Sequence, residues 1–167
     1  MGALPSLLIL GTLALVSVLL ARTRPSAPER SRERYSASVV LAVATVLQAV
    51  HFTEELIQGF RISFPEIFGL APVPFSLFVI FNLGCLMLWI YAIFGIKKAR
   101  KHAFGAAWFL ALAGILNGIA HPVLALTAGT YFPGLYSSLP VAVACCWLVV
   151  RLLRATRPIF PDPYLSN

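Results

Sequence analysis

Five apolar stretches constrain the fold of this chain more than any other feature of its sequence. Each is roughly 20 residues long, the length that a helix needs to cross the hydrocarbon core of a bilayer. Backbone N–H and C=O groups cannot stay unpaired in lipid, so apolar segments cross it as helices. The sequence therefore predicts an all-α integral membrane protein with five transmembrane helices, at residues 3–21, 37–60, 74–96, 104–128 and 135–153.

The composition agrees with a membrane protein and argues against a soluble one. Charged side chains make up 11% of the chain and hydrophobic ones 59%, whereas a soluble domain carries roughly 25% charged residues. The net charge of +7 could indicate nucleic-acid binding, but the basic residues stand in short runs between apolar stretches. No soluble domain is left to present them, so we expect membrane lipids as partners and no nucleic acid.

The basic residues also predict the orientation of the chain. Of 13 Lys and Arg residues, all but Arg61 lie in the first connection, in the third connection or at the end of the last stretch. Five spans place those three regions on one face of the membrane, and basic residues mark the cytoplasmic face. We therefore expect the N-terminus outside and the C-terminus in the cytoplasm, with the plasma (inner) membrane as the location.

The chain divides into three segments. Residues 1–36 hold the first span and a basic cytoplasmic loop, 37–153 form a four-span membrane core, and 154–167 form a cytoplasmic tail. The arginine-rich connection at 22–36 is expected to be solvated beside anionic headgroups. The connection at 61–73 is apolar, aromatic and broken by proline, so we expect it to lie along the membrane surface, or more specifically to cover a lipid-facing site.

Ionisable residues within two spans indicate a functional site. His51, Glu54 and Glu55 lie in the second span, and Asn117 and His121 lie in the fourth. Such groups cost about 2.5–3.5 kcal/mol each at membrane depth, even on the lenient insertion scales, so they mark functional sites there. His51 and Glu55 are four residues apart and share a helix face. Both spans run in the same direction, so their polar halves fall in the same outer half of the bilayer.

Three further features of the spans bear on this site. Asn82 in the third span falls in the same layer, so it is expected to join the polar groups. Gly114 and Gly118 form a G-x-x-x-G pair, which allows another helix to approach closely. Pro122 follows His121 and removes a backbone N–H, which favours a kink near the site.

Three chemical interpretations of the polar residues are open. His51, Glu55 and His121 match the two-histidine, one-carboxylate ligand set of an open catalytic zinc site, which would also suit iron or manganese. Without a metal, the same groups can act as acid and base. Alternatively they bond one another and hold the bundle together, although such contacts average only about 0.6 kcal/mol in membranes.

Three ordered motifs resemble those of the small membrane proteins named for their H-x-x-E-E motif. His51–Glu55 carries the H-x-x-E-E motif itself. Asn117–His121 resembles the second motif of the family, N-x-x-x-H, and Tyr131–Gly134 resembles the third, Y-x-P-G. The resemblance covers about residues 38–153. It implies a membrane-embedded protein with enzyme-like motifs, and it makes Tyr131 and Gly134 candidate site residues.

The function expected from the sequence is catalysis on a lipid-like or isoprenoid substrate that enters from the membrane. Glu54, Glu55, Asn117 and Tyr131 are the candidate catalytic residues, and the cofactor is a divalent metal held by the two histidines and Glu55. Glu54 would accept a proton or support another ligand, and Asn117 would orient a substrate oxygen or a histidine. There are two alternatives. The first is a non-catalytic subunit that packs in a larger membrane complex or binds a pigment or quinone, and the second is a proton-coupled transporter.

Overall fold

The computed structural model describes residues 4–157, and the regular secondary structure within them is all helical. It contains six α-helices, a 3-10 turn at Pro28–Arg30 and no β-strand, which confirms the all-α prediction for this part of the chain. The helices are α1 (Leu4–Thr23), α2 (Ser31–Gln58), α3 (Phe60–Glu66), α4 (Phe75–Lys97), α5 (Lys101–Ala128) and α6 (Leu135–Ala155).

Four of the helical segments are long and apolar enough to cross a membrane. They are Pro28–Gln58, Phe75–Lys97, Lys101–Ala128 and Leu135–Ala155. By length and composition they indicate an integral membrane protein. The first apolar helix, counted over Leu8–Thr23, is shorter, so the fifth span and the orientation of the termini stay predictions.

The second and fourth predicted spans, α2 and α5, share two neighbours, α6 and α4. α6 packs along both α2 and α5, α4 also packs against both, and α1 packs on α5. α2 and α4 run antiparallel: Lys97 Nζ lies 5.2 Å from the centre of the Tyr35 ring, and the Phe52 and Phe78 rings lie 5.7 Å apart at the other end. α2 and α5 pack mainly on α6 and α4, and they approach each other through the polar residues that the sequence singled out, with Asn117 Nδ2 3.2 Å from His51 Nε2.

Small residues allow α5 and α6 to approach closely. A Cβ added at Gly114 would collide with Cys145 Sγ, and one added at Gly118 would collide with Ala142 Cβ. The G-x-x-x-G pair therefore acts as predicted, and its partner is α6. This close contact brings the N-terminal turn of α6 beside the second half of α5.

The three basic regions meet at one end of the bundle, which we call the basic end. Arg24 Nε lies 3.3 Å from Thr156 Oγ1, and Arg30 donates to Thr156 O at 3.2 Å. Arg34 is buried and donates to Ala27 O at 2.6 Å. Most of the connection over 22–36 is exposed, as expected from the sequence, and Arg34 is the exception because its guanidinium group binds oxygens of the chain.

The second connection folds back over the opposite end of the bundle. Gly59 ends α2 at a φ of 81°, a left-handed conformation that glycine adopts without steric cost, and α3 begins at the next residue. Phe60 stacks on Phe64 with 5.1 Å between ring centres, and the ring centre of Phe60 lies 5.4 Å from that of His121. The aromatic side of α3 thus covers the predicted site, in agreement with the covering segment expected from the sequence.

Candidate functional site

The structure brings two histidines and one carboxylate together away from the basic end. Glu55 Oε1 lies 3.4 Å from His51 Nε2 and 3.4 Å from His121 Nε2. All three side chains are buried, with 0%, 7% and 2% exposure for His51, Glu55 and His121. The two imidazole rings meet edge to face at 4.8 Å between centres. We call these residues the His–Glu–His cluster.

Hydrogen bonds fix the tautomer of His51. The Ser137 hydroxyl donates its single hydrogen to Glu54 Oε2, so it can only accept from His51 Nδ1, which lies 2.8 Å away. A neutral His51 then carries its lone pair on Nε2, the atom that faces Glu55. Asn117 Nδ2 lies 3.2 Å from the same atom and donates to it.

His121 is not fixed in this way. Its Nδ1 is buried and has no hydrogen-bond partner among the described residues. A histidine can protonate on either ring nitrogen, and a bond to one nitrogen normally decides which. His51 is therefore oriented by its surroundings, whereas no hydrogen bond at Nδ1 sets the tautomer of His121 among the described residues.

The cluster has the spacing of a divalent metal site. Two ligand atoms bound to zinc at about 2.0–2.1 Å with tetrahedral angles lie about 3.4 Å apart, which is the separation found on both sides of Glu55 Oε1. The three potential ligand atoms all lie within 4.8 Å of one another. The inward lone pair of His51 and the carboxylate repel each other unless a proton or a cation lies between them, so the donor set fits a metal ion.

Glu54 points away from the cluster and binds the start of α6. It accepts hydrogen bonds from the backbone N–H groups of Tyr136 at 3.2 Å and Ser137 at 2.8 Å, as well as from the Ser137 hydroxyl. α6 begins after Gly134, which has no side chain that could cap the helix. Glu54 thus supplies the acceptor and the negative charge that a helix N-terminus favours.

Tyr131 also binds Glu54 rather than the cluster. Its hydroxyl donates to Glu54 Oε1 at 2.6 Å. Burial, and then the hydrogen bond to the Glu54 carboxylate, raise the pKa of Tyr131 to about 12. Tyr131 therefore stays protonated across the physiological range and keeps donating, and a continuous series of hydrogen bonds joins it through Glu54 and Ser137 to His51.

Gly134 lies directly against both imidazoles. A Cβ at this position would clash with His121 Cε1. It would also lie 2.7 Å from His121 Nδ1 and 2.9 Å from His51 Cε1. Its φ of 91° is a conformation that side chains rarely adopt. The Y-x-P-G turn can therefore close over the cluster only with glycine at its last position.

A cavity of about 370 Å³ opens beside the cluster and extends toward the basic end. Glu55, His121 and Asn117 line its polar side, and α3 covers it. Most of its wall is apolar, and on α4 it reaches from Leu77 to Trp89, about 18 Å at a rise of about 1.5 Å per residue. The apolar lining residues are Ile9, Leu10, Leu13, Phe60, Phe64, Pro65, Val73, Leu77, Phe78, Phe81, Cys85, Trp89, Phe109, Ala113, Leu116, Ala120 and Leu124.

Two residues differ from the sequence-based expectation of the site. Asn82 lines the cavity but donates to Phe78 O of its own helix at 2.9 Å and makes no hydrogen bond to the cluster among the described residues. Ser137 was missed, although it joins His51 to Glu54. The available signal was a pair of hydroxyl residues, Ser137 and Ser138, at the start of an apolar span, three and four residues after Gly134.

Comparison of the chain with models of known protein families, with curated proteins and with solved structures found no match. The function is therefore inferred from the geometry of the site.

Proposed function

We propose that this protein is a membrane-embedded, metal-dependent enzyme that acts on a lipid-like or isoprenoid substrate. The observation that carries the proposal is the buried His–Glu–His cluster at the polar side of a long apolar cavity. A merely structural cluster would need no cavity beside it, and a merely apolar binding site would not need three ionisable groups at this cost. An elongated apolar cavity fits a lipid chain, whose reacting end would lie at the cluster.

His51, Glu55 and His121 would hold the metal. Bound there, a divalent ion would polarise a substrate oxygen or lower the pKa of a bound water. Ser137 and Glu54 keep the His51 lone pair directed inward, as the outer partners of metal-binding histidines do. A metal held by His51 Nε2 would use the lone pair that now accepts from Asn117. The Asn117 amide would then be available to a substrate oxygen.

The remaining residues of the site would admit and enclose the substrate. Phe60 and Phe64 on α3 cover the cavity, and Arg61 at its rim stacks over the Phe75 ring at 5.8 Å. An aromatic cover next to a single cation suits a lipid-like substrate that enters sideways from the membrane and carries a polar end. Excluding water in this way strengthens the electrostatic interactions at the cluster.

The proposal includes the membrane arrangement expected from the sequence. We infer five spans, an outer N-terminus and a plasma-membrane location, and membership of the H-x-x-E-E family. The contacts among Arg24, Arg30 and Thr156 support the orientation, because they gather the basic regions at one end of the bundle. The cluster would then lie in the outer half of the membrane.

Metal binding and lipid chemistry can be tested together with one matched pair of variants. Glu55→Gln removes the central carboxylate with little change of shape, and Glu66→Gln makes the same change at an exposed position on α3. Purified wild type and Glu66→Gln should each bind one zinc, iron or manganese ion by native mass spectrometry with elemental analysis, and Glu55→Gln should bind none.

Lipid extracts from cells expressing each variant supply the second measurement. The wild type should deplete one lipid and accumulate another relative to Glu55→Gln. If wild type, Glu66→Gln and Glu55→Gln bind metal equally, the His–Glu–His cluster is not the metal site. Lipid extracts that are identical for wild type and Glu55→Gln would rule out the enzyme and leave a binding subunit.

A further inference from the structure

A second set of polar side chains lines the cavity deeper than the cluster. We call Gln48 on α2 and Asn82 on α4 the amide tier. Gln48 is seven residues before Glu55, which places it about 10 Å further along α2. The wall beyond the tier, toward Trp89 and the basic end, is apolar.

The helix register places the tier at one level. The rings of Phe52 and Phe78 are in contact, and α2 and α4 run antiparallel. Gln48 lies four residues before Phe52 on α2, and Asn82 lies four residues after Phe78 on α4. Because the two helices run antiparallel, the two amides are level with each other. Two helices that line the cavity thus each present an amide at the same depth, whereas Asn117 lies at the cluster, 3.2 Å from His51 Nε2.

The tier is not satisfied by the protein. Gln48 is 7% exposed, and its Oε1 has no hydrogen-bond partner among the described residues. Asn82 uses its Nδ2 to donate to Phe78 O, and in the described part of the chain its Oδ1 accepts nothing. A buried acceptor without a donor is destabilising, and native proteins rarely retain one without a reason.

We propose that the amide tier binds a hydroxyl group on the chain of the lipid, so that the substrate is a hydroxylated single-chain lipid. This inference rests on the proposed function only in placing a lipid in the cavity. A hydroxyl group both donates and accepts, so it satisfies the Gln48 amide in either orientation and can reach Asn82 as well. A charged group does not fit at this depth, because amides supply no countercharge and the charged lining residues lie at the cluster and the rim.

A matched pair of lipids tests the proposal. Ricinoleic acid and oleic acid share the carboxylate, chain length and double bond, and differ in one hydroxyl group in the middle of the chain. Purified protein in detergent is loaded with radiolabelled oleic acid, and the two unlabelled acids compete for it. The wild type should bind ricinoleic acid roughly tenfold more tightly, since one hydrogen bond in a buried site supplies a preference of that order.

Variants assign the preference to the tier. Gln48→Leu and Asn82→Leu should each bring the ratio of affinities close to one, because each removes an amide that binds the hydroxyl group. Leu116→Ala, which removes only apolar wall, should weaken both acids by the same factor. Gln48→Leu should fold, because it replaces an unpartnered acceptor with an apolar group of similar shape.

Equal affinities in the wild type would overturn the proposal, because water alone would then fill the tier. A preference that survives both leucine variants would overturn it as well. The measurement does not depend on turnover or metal. Failure of the enzyme proposal would therefore appear in the lipid extracts while the preference for ricinoleic acid remained.

Discussion

His51 Nδ1 lies 2.8 Å from the hydroxyl oxygen of Ser137, and this contact joins the buried cluster to the helix that packs along both α2 and α5. Because Ser137 in turn donates to Glu54, the contact determines which nitrogen of His51 faces Glu55. The start of α6 therefore orients a potential metal ligand on α2.

The Ser137→Ala variant should lower metal affinity roughly 10-fold to 100-fold, the usual cost of removing an outer partner of a metal-binding histidine. The fold should persist, because the backbone N–H of residue 137 still donates to Glu54. Isothermal titration with zinc measures the change. Ser138→Ala is the control, since the Ser138 hydroxyl donates to Leu135 O of its own helix. Equal affinities of the two variants would contradict the role of Ser137.

Glu54 and Glu55 should differ in what their loss affects. Glu54→Gln removes the negative charge at the start of α6 and cannot accept all of its hydrogen bonds, so the free energy of unfolding should fall by about 1 kcal/mol. Some metal binding should remain. Glu55→Gln should abolish metal binding with little loss of stability. Chemical unfolding and metal content, measured on the same preparations, separate the two effects. If Glu54→Gln abolished metal binding and Glu55→Gln retained it, Glu54 would be the ligand.

The sequence predicted the cluster because periodicity and depth are local properties of a helix. His51 and Glu55 share a face by their spacing, and His121 reaches the same depth because α2 and α5 run in the same direction. The two adjacent serines at 137 and 138 were a signal of polar contacts, but the partners of Ser137 were not predictable, since they depend on how the turn at 129–134 directs α6 along α2 and α5. The same limit applies to Arg34, whose basic character indicated a solvated loop while its actual partners are carbonyl oxygens.

The orientation of the chain should be visible in cysteine labelling. In a background without Cys85, Cys145 and Cys146, a cysteine replacing Ser26 should be protected from an impermeant maleimide added outside intact cells. One replacing Thr130 should react, because basic residues are retained in the cytoplasm and the turn after α5 lies at the opposite end. Permeabilised cells supply the control in which both should react. Labelling at residue 26 alone in intact cells would invert the proposed orientation.

Gly134 offers a way to separate backbone strain from a direct clash with the site. Gly134→Ala and Gly129→Ala both place a side chain at positive φ, 91° and 66° respectively. A Cβ at Gly129 meets nothing within 4 Å, whereas one at Gly134 meets both His121 and His51. Both variants should lose stability through the strained conformation, by about 1 kcal/mol each. Only Gly134→Ala should also lose metal binding, by more than 10-fold, because the turn must move off the imidazoles or push them apart. Metal titration of the two purified proteins measures the difference. If Gly134→Ala binds metal as tightly as Gly129→Ala, the turn does not define the geometry of the cluster.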